Sequence, residues 1–385
     1  MKTWKKVTLR EVADIIPGYA FKGEDFCITG APVIKIKDIN PPSVLYDTLE
    51  RVNLSRYKNN NIEKYTASQN DFVIAMTGAT IGKVGKIRFS DIVYINQRVA
   101  KIRPKEEVCW DFIYYCAISN LFYQYIINNI DSNSAQENIS ATSIGSFSFC
   151  LPPLPEQKAI AAVLGSLDDK IDLLQRQNAT LEAMAETLFR QWFIEEAQEG
   201  WGEQAFGNIV TFYDSKRIPL SKREREKMQN GLLYPYYGAA QIVDYVNNFI
   251  FNGDYLLIAE DGTVRTDSGT PVLQRAYGKF WVNNHTHVIT VTYPYNNDFL
   301  YILLLRRNID ELITGAVQPK ISQSNLRKLS IPYYPVELVK KYIFLTKDIF
   351  SKIRSNQKQI RTLEKLRDTL LPKLMSGEVR VRVDG

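Results

Sequence analysis

The stretch KIDLLQRQNATLEAMAETL, residues 170–188, decides how this chain is read, because the chain writes it again as KIRSNQKQIRTLEKLRDTL at 352–370. Nine of the 19 positions are identical at a constant offset of 182: Lys170, Ile171, Gln175, Gln177, Thr180, Leu181, Glu182, Thr187 and Leu188. Shared helical composition supplies some of this identity, but a gapless repeat of this kind marks a duplicated unit. Around the first copy the apolar residues run Ile160, Leu164, Leu167, Ile171, Leu174, Asn178, Leu181, Ala185, Leu188, Trp192, a heptad seam. The second copy gives Ile349, Ile353, Asn356, Ile360, Leu363, Arg367, Leu370, Leu374. Each seam holds one asparagine near its middle.

Laid antiparallel with Asn178 opposite Asn356, the two helices pair Ile171 with Leu363, Leu174 with Ile360, Leu181 with Ile353, Ala185 with Ile349 and Leu164 with Leu370. Leu167 then faces Arg367, and Leu188 faces Thr346. A polar pair costs stability and fixes register. Charge agrees with pairing: residues 156–199 carry nine acidic and four basic groups, and residues 337–382 carry five acidic and twelve basic. The alternative is that each helix packs only on its own globule and the heptads are ordinary amphipathic stripes.

The repeat extends outward. LPPLPEQKAI (151–160) is answered by IPYYPVELVK (331–340), with Leu151, Pro152 and Pro155 matched by Ile331, Pro332 and Pro335. A residue before proline is held extended, Pro155 suits a first helical turn, and Glu156 suits the positive end of the helix dipole. These prolines therefore read as stiff exits from globules into helices. DFVIAMTGATIGKVGKI (71–87) parallels DYLLIAEDGTVRTDSGT (254–270), VYINQRVAKI parallels FWVNNHTHVITV, and WKKVTLREV parallels WGEQAFGNIV. Short apolar runs such as APVIKIKDI and HVITVTY, broken by Gly, Asn and Pro, read as strands. The expected fold is α+β: two β-rich globules at 1–150 and 199–330, joined by helical spacers at 151–198 and 331–385 that form an antiparallel coiled coil, with an internal pseudo-twofold repeat.

Length and composition allow this. At 385 residues the chain exceeds one ordinary core. Its 45% apolar and 12% aromatic content is that of a folded protein. A signal-like apolar run is missing from the N-terminus, and no stretch approaches a membrane span. Cys27, Cys109, Cys116 and Cys150 lack CxxC spacing and read as reduced, buried thiols of a cytoplasmic protein. A net charge of +6 suits a nucleic-acid partner without demanding one.

The motifs argue against an enzyme. INPPS (39–43) nearly matches the Asn-Pro-Pro-aromatic motif of adenine methyltransferases, but Ser43 stands where the stacking ring belongs, so it reads as a turn. GATIGKVGK (78–86) lacks phosphate-loop spacing. His285 and His287 are the only histidines; with no neighbouring cysteine or acidic cluster in the sequence they read as polar strand residues, and no metal site is expected.

LPPLPEQKAIAAVLGSLDDKIDLLQRQNATLEAMAETLFRQWF resembles the helical region of type I restriction–modification specificity subunits. TIGKV, NNHTHV and LRDTLLPKLMSGEVRV resemble other stretches of that family, and the resemblance covers nearly the whole chain. It implies two target recognition domains, each reading one half of a bipartite site in double-stranded DNA. It implies paired helices that space the half-sites and dock two modification subunits, which hold S-adenosylmethionine and methylate adenine, with restriction subunits joining to cut. This chain itself would carry no catalysis and no cofactor. Two alternatives stay open: an orphan subunit supporting methylation only, and a helical-hairpin scaffold with no DNA role.

Base edges are read by polar side chains, and phosphates are held by Lys, Arg or backbone N–H. In the first domain this nominates Lys35 and Lys37 for phosphate, Thr77, Thr80 and Lys83 in the Gly-rich loop, and Gln97 and Arg98 for bases. In the second it nominates Lys216, Arg217, Tyr236, Tyr237, Asp261, Thr263, Arg265, Asn283 and Asn284. SKREREK (221–227) reads as a phosphate-binding loop. The helix-pair interface is assigned to Leu164, Ile171, Leu174, Asn178, Leu181, Leu188, Ile353, Asn356, Ile360, Leu363 and Leu370.

Overall fold

The computed structural model describes residues 4–57, 61–131, 137–197, 201–315 and 318–381. The chain divides into two compact units, Met1–Leu173 with Gln359–Gly385, and Leu174–Lys358. Both boundaries fall inside long helices, Leu154–Arg190 and Val336–Ser376. Each unit is therefore one globule with one half of each helix.

In the first unit, Ala13–Pro17, Val99–Pro104, Phe72–Ala75 and Val84–Lys86 lie side by side, antiparallel, in that order. Ser43–Val44 joins the edge in parallel, Lys86 opposite Ser43, and pairs in turn with Ile39–Asn40. The strand Phe72–Ala75 is buried at every position, which its unbroken apolar run FVIA requires. The second unit repeats the order: Val210–Phe212, Thr286–Val291, Phe251–Ala259 and Leu273–Val282, antiparallel, then Tyr234–Tyr237 in parallel and Ile242–Val246 at the edge. The edge hairpin joins the sheet by its later strand in the first unit and its earlier strand in the second. The first unit adds a five-stranded sheet, Phe26–Cys27, Glu50–Val52, Ala31–Ile34, Val93–Ile95 and Thr66–Ala67.

The proline exits begin at strands that close each globule. Ser148–Leu151 pairs with Lys5–Thr8, and Ser330–Pro332 pairs with Glu203–Ala205. The weak likeness of WKKVTLREV to WGEQAFGNIV thus corresponds to a shared element. The first long helix starts at Leu154, where the Pro153 carbonyl accepts from Glu156 and Gln157 N–H at 2.9 and 3.0 Å. The second starts at Val336, directly after Pro335, whose carbonyl accepts from Val339 N–H at 3.1 Å.

Within each unit the helix halves run antiparallel. In the first, Leu164 shares a core with Leu370, Leu371, Leu374 and Met375. Arg367 does not sit idle against Leu167; it reaches the neighbouring Asp168 at 3.0 Å, and the Tyr115 hydroxyl donates to the same carboxylate at 2.8 Å. Burial and the Asp168 charge both push the Tyr115 hydroxyl pKa up. In the second, Leu181, Ala185 and Leu188 share a core with Ile349, Phe350 and Ile353, and Asn356 Nδ2 donates to Asn178 Oδ1 at 2.9 Å. Every residue assigned to the helix-pair interface is buried or half-buried. Full burial of one such Leu or Ile side chain stabilises by about 1.5–3 kcal/mol. The helices also pack on the globules, so pairing and globule packing are both realised. Ile160 and Leu164 lie in the first globule's core, and Ala185 and Phe189 in the second's. Polar anchors reinforce the second: Arg354 grips Asp298 at 2.8 and 3.1 Å, Arg306 reaches Glu186 at 2.5 Å, and Arg275 pairs with Glu182.

The four cysteines are free, but only Cys116 is buried; Cys27 and Cys150 are exposed and Cys109 is half-buried. The expectation of four buried thiols is corrected, because Cys27 and Cys150 lie on sparsely buried edge strands. INPPS forms the expected turn, with Asn40 opposite Ser43. Among the described residues, no helix is long and apolar enough to cross a membrane.

Candidate nucleic-acid interface

Each unit holds some of its nominated polar residues at a tip built by the same backbone bonds. In the first, Met76 N–H donates to the Arg98 carbonyl at 2.9 Å, Ile139 N–H to the Met76 carbonyl at 3.0 Å, and Gly78 N–H to the Glu137 carbonyl at 3.1 Å. In the second, Glu260 N–H donates to His285 at 2.9 Å, Ile321 N–H to Glu260 at 2.8 Å, and Gly262 N–H to Pro319 at 3.1 Å. Gly78 and Gly262 both have left-handed φ, +69° and +77°, which favours glycine at the turn of each loop. By these bonds Thr77 corresponds to Asp261, and Arg98 to His285.

The first tip presents Thr77, Thr80 and Lys83 on one loop and Gln97 and Arg98 on the adjoining hairpin. Lys83, Gln97 and Arg98 are exposed. The hydroxyl oxygens of Thr77 and Thr80 are shielded from solvent and have no hydrogen-bond partner among the described residues. Gly82, at φ +81°, lets the loop close on Tyr123 and Ile126, which a Cβ there would meet at 3.2–3.3 Å.

The second tip is backed by a charged network. His287, 1% exposed, offers Nδ1 to Asp214 at 2.6 Å and Nε2 to the Ile321 carbonyl at 2.9 Å. Arg217 pairs with Glu260 at 2.6 Å and donates to the carbonyls of Thr286 and Asn284 at 2.8 and 3.4 Å. Lys320 reaches Glu260 at 3.2 Å. Burial alone would raise the Asp214 carboxyl pKa, but the hydrogen bond and charge of His287, the Val288 N–H and Arg217 bring it below its ordinary value. Glu260 behaves likewise: burial raises it, and Arg217, His287 and Lys320 lower it further. Asp214, Glu260 and His287 bring metal-ligating atoms within 4.8 Å of one another. Arg217 and Lys320 already neutralise the carboxylates, so a cation would have to displace them; the cluster works as a clamp between remote segments. The sequence reading missed these acidic neighbours of the histidines because Asp214 lies 73 residues from His287.

A family model for the type I restriction modification DNA specificity domain matches residues 1–183 and again residues 198–365. The chain belongs to that family. A type I restriction enzyme specificity subunit of Methanocaldococcus jannaschii is 27% identical over 320 residues, 74% of this chain and 73% of the relative. The specificity subunit of the EcoBI type I restriction enzyme of Escherichia coli is 30% identical over 206 residues, 51% of this chain and 39% of the relative. In fold, the chain is similar to the crystal structure of a type I restriction–modification S subunit from M. genitalium. The TM-score is 0.54, with 18% identity over 97% of this chain and 96% of that one.

Within this DNA specificity fold, several nominated residues turn out to be engaged elsewhere. Lys35 and Lys37 both pair with Glu50, and Lys35 also lies 3.6 Å from the centre of the Phe26 ring. They are internal ion-pair partners, not free phosphate anchors. Arg217 belongs to the buried clamp and is corrected to a positioning role. Tyr236 and Tyr237 are 1% and 3% exposed; Tyr236 accepts the Leu220 N–H at 2.9 Å and faces Arg225, so both rings are core. SKREREK is a short helix, Lys222–Lys227, closed by a Ser221–Glu224 capping box, rather than a loop. Arg225 is spent on Asp244 at 2.9 Å, while Lys222, Arg223 and Lys227 are exposed.

Lys216 is exposed, 5.1 Å from the Tyr213 ring centre. Arg265 is exposed and paired with Asp310 at 2.7 Å. Asn283 caps the hairpin turn, accepting His285 N–H at 2.9 Å. Asn284 and Thr263 are exposed at the tip, and Asp261 meets His285 at 2.8 Å. His285 was not nominated. Aligning the repeats position by position, which sets it opposite Arg98, is the signal that finds it.

Proposed function

We propose that the chain is the non-catalytic DNA-specificity subunit of a type I restriction–modification complex. Each unit reads one half of a bipartite site in double-stranded DNA, and the paired helices set the spacing and dock two modification subunits. Those subunits hold S-adenosylmethionine and methylate adenine; restriction subunits complete the assembly. The observation that carries this is the double match of the specificity domain, each copy centred on a globule whose polar tip is built by the same backbone bonds. Two similar readers on one chain suit two half-sites on a duplex. The Asn178–Asn356 layer supports the spacer role, since it pins the helix register on which a fixed spacing depends. A scaffold without DNA contact leaves the exposed polar tips without a use. An orphan subunit supporting methylation alone would differ in its neighbours, not in this chain.

The test is to replace residues 1–150 with the corresponding domain of a relative and map methylation in cells that also express the modification subunit. One half-site should change and the other should persist. Alteration of both halves would show that the units do not read independently.

A further inference from the structure

The two tips are built alike but carry opposite chemistry. Where the first has Thr77 and Arg98, the second has Asp261 and His285, with His285 Nδ1 2.8 Å from the Asp261 carboxylate. The side chains are 19% and 48% exposed, so the pair is open to a partner. It is also held in place. Asp261 follows Glu260, which is fixed by Arg217 and Lys320, and His285 lies in the turn whose Asn284 and Thr286 carbonyls Arg217 grips. Gly262 N–H, bonded to the Pro319 carbonyl, fixes the other side of the loop. Four segments distant in sequence thus converge to hold one partly exposed carboxylate in place.

A carboxylate on a DNA-facing loop is repelled by phosphates, so it needs both a neighbour that holds it in place and a specific hydrogen-bond donor to offset that repulsion. His285 is the neighbour. The donor follows from base chemistry. An ionised carboxylate only accepts hydrogen bonds. In the major groove, adenine N6 and cytosine N4 donate, whereas guanine and thymine present acceptors at the corresponding places.

We propose that Asp261 and His285 act as one base-reading unit in the half-site read by the second unit, selecting a base whose major-groove edge carries an amino group, adenine or cytosine. Asp261 accepts from that amino group, and His285 is a positioning residue that orients the carboxylate through its Nδ1 contact. In the first tip Thr77 stands at the place of Asp261 and Arg98 at the place of His285; Arg98 can only donate, so the two tips do not offer the same hydrogen-bonding groups. This rests on the specificity reading given above.

The experiment uses the full chain in complex with its modification subunits and a pool of duplexes randomised in sequence. Bound duplexes are recovered and sequenced for the unaltered chain, Asp261→Thr, His285→Gln and Arg98→Gln. The unaltered complex should enrich a bipartite motif with adenine or cytosine at one position of one half-site. Asp261→Thr, which installs the first unit's side chain, should loosen that position by about tenfold and leave the other half-site unchanged. His285→Gln should loosen the same position less, and Arg98→Gln should alter only the opposite half-site. Melting temperatures should stay level, since a single partly exposed surface contact contributes little to stability. If the unaltered complex enriches a bipartite motif and Asp261→Thr changes yield uniformly with every base preference intact, the proposal is overturned while the specificity reading stands. If the unaltered complex enriches no motif, both fall together.

Discussion

Asn178 and Asn356 share one hydrogen bond, yet their removal should move stability in opposite directions. Asn356 is fully buried, its Oδ1 has no partner among the described residues, and its Nδ2 depends on Asn178 Oδ1 at 2.9 Å. Asn178 is only half-buried. In Asn178→Leu the Asn356 amide keeps just Gln177 Oε1 at 3.4 Å. Stranding a buried polar group costs about 1–3 kcal/mol, against a gain of about 1 kcal/mol for a half-buried leucine, so this variant should lose up to about 2 kcal/mol. Asn356→Leu removes the stranded oxygen and buries a leucine fully, while the Asn178 amide turns to water. It should gain about 2 kcal/mol. The double variant should gain about 3 kcal/mol, more than the two singles sum to, and lose its unique register. Urea unfolding followed by helical circular dichroism, with slopes checked for constancy, gives the four values. Equal shifts for the two single variants, or an additive double, would refute the reasoning that burial asymmetry governs this layer.

Further outcomes follow from the anchors and the clamp. Arg354→Met should cost up to about 3 kcal/mol by leaving buried Asp298 with the Tyr277 hydroxyl but no charged partner, and Asp298→Asn in the same chain should restore most of it; calorimetric melting reads both. The Asp214 pKa is lowered on folding, so its stabilisation is full above the ordinary aspartate value of about 3.9 and is lost as pH falls through the folded value. The urea midpoint of the unaltered chain should therefore drop on acidification below about pH 4, and Asp214→Asn should flatten that limb. Inserting four residues after Ala179 lengthens the helix by about 6 Å; with the partner helix accommodating it, the unread gap should grow by about one to two base pairs, with both half-sites unchanged in a methylation map.

Much of the architecture was legible because its signals are local. The heptad seam sets which helix faces meet, and the single asparagine in each seam was enough to place Asn178 against Asn356. Prolines at 152, 155, 332 and 335 marked where globules end. Outside the heptad seam, side-chain partners were legible only where they stand close in sequence. Lys35 and Lys37 alternate with isoleucines and look free, yet Glu50 takes both from 15 and 13 residues away. Tyr236 reads equally as a DNA contact or as core until its hydroxyl is found accepting from Leu220 N–H. His285 and His287 seemed to lack acidic company because Asp261 and Asp214 arrive from separate strands and turns. The turns of the two loops were readable, since Gly78 and Gly262 take left-handed φ there. Of the five-stranded sheet of the first unit only Ala31–Ile34 was legible, within APVIKIKDI; its other strands run only two to three residues.

The central claim is that two separate readers on one chain specify two separate blocks of DNA. Genome-wide mapping of adenine methylation in a strain carrying this chain and its modification subunit tests it most directly. Two short specified blocks separated by an unread gap of one fixed length are expected. A single contiguous motif, or two blocks whose separation varies freely from site to site, would contradict it.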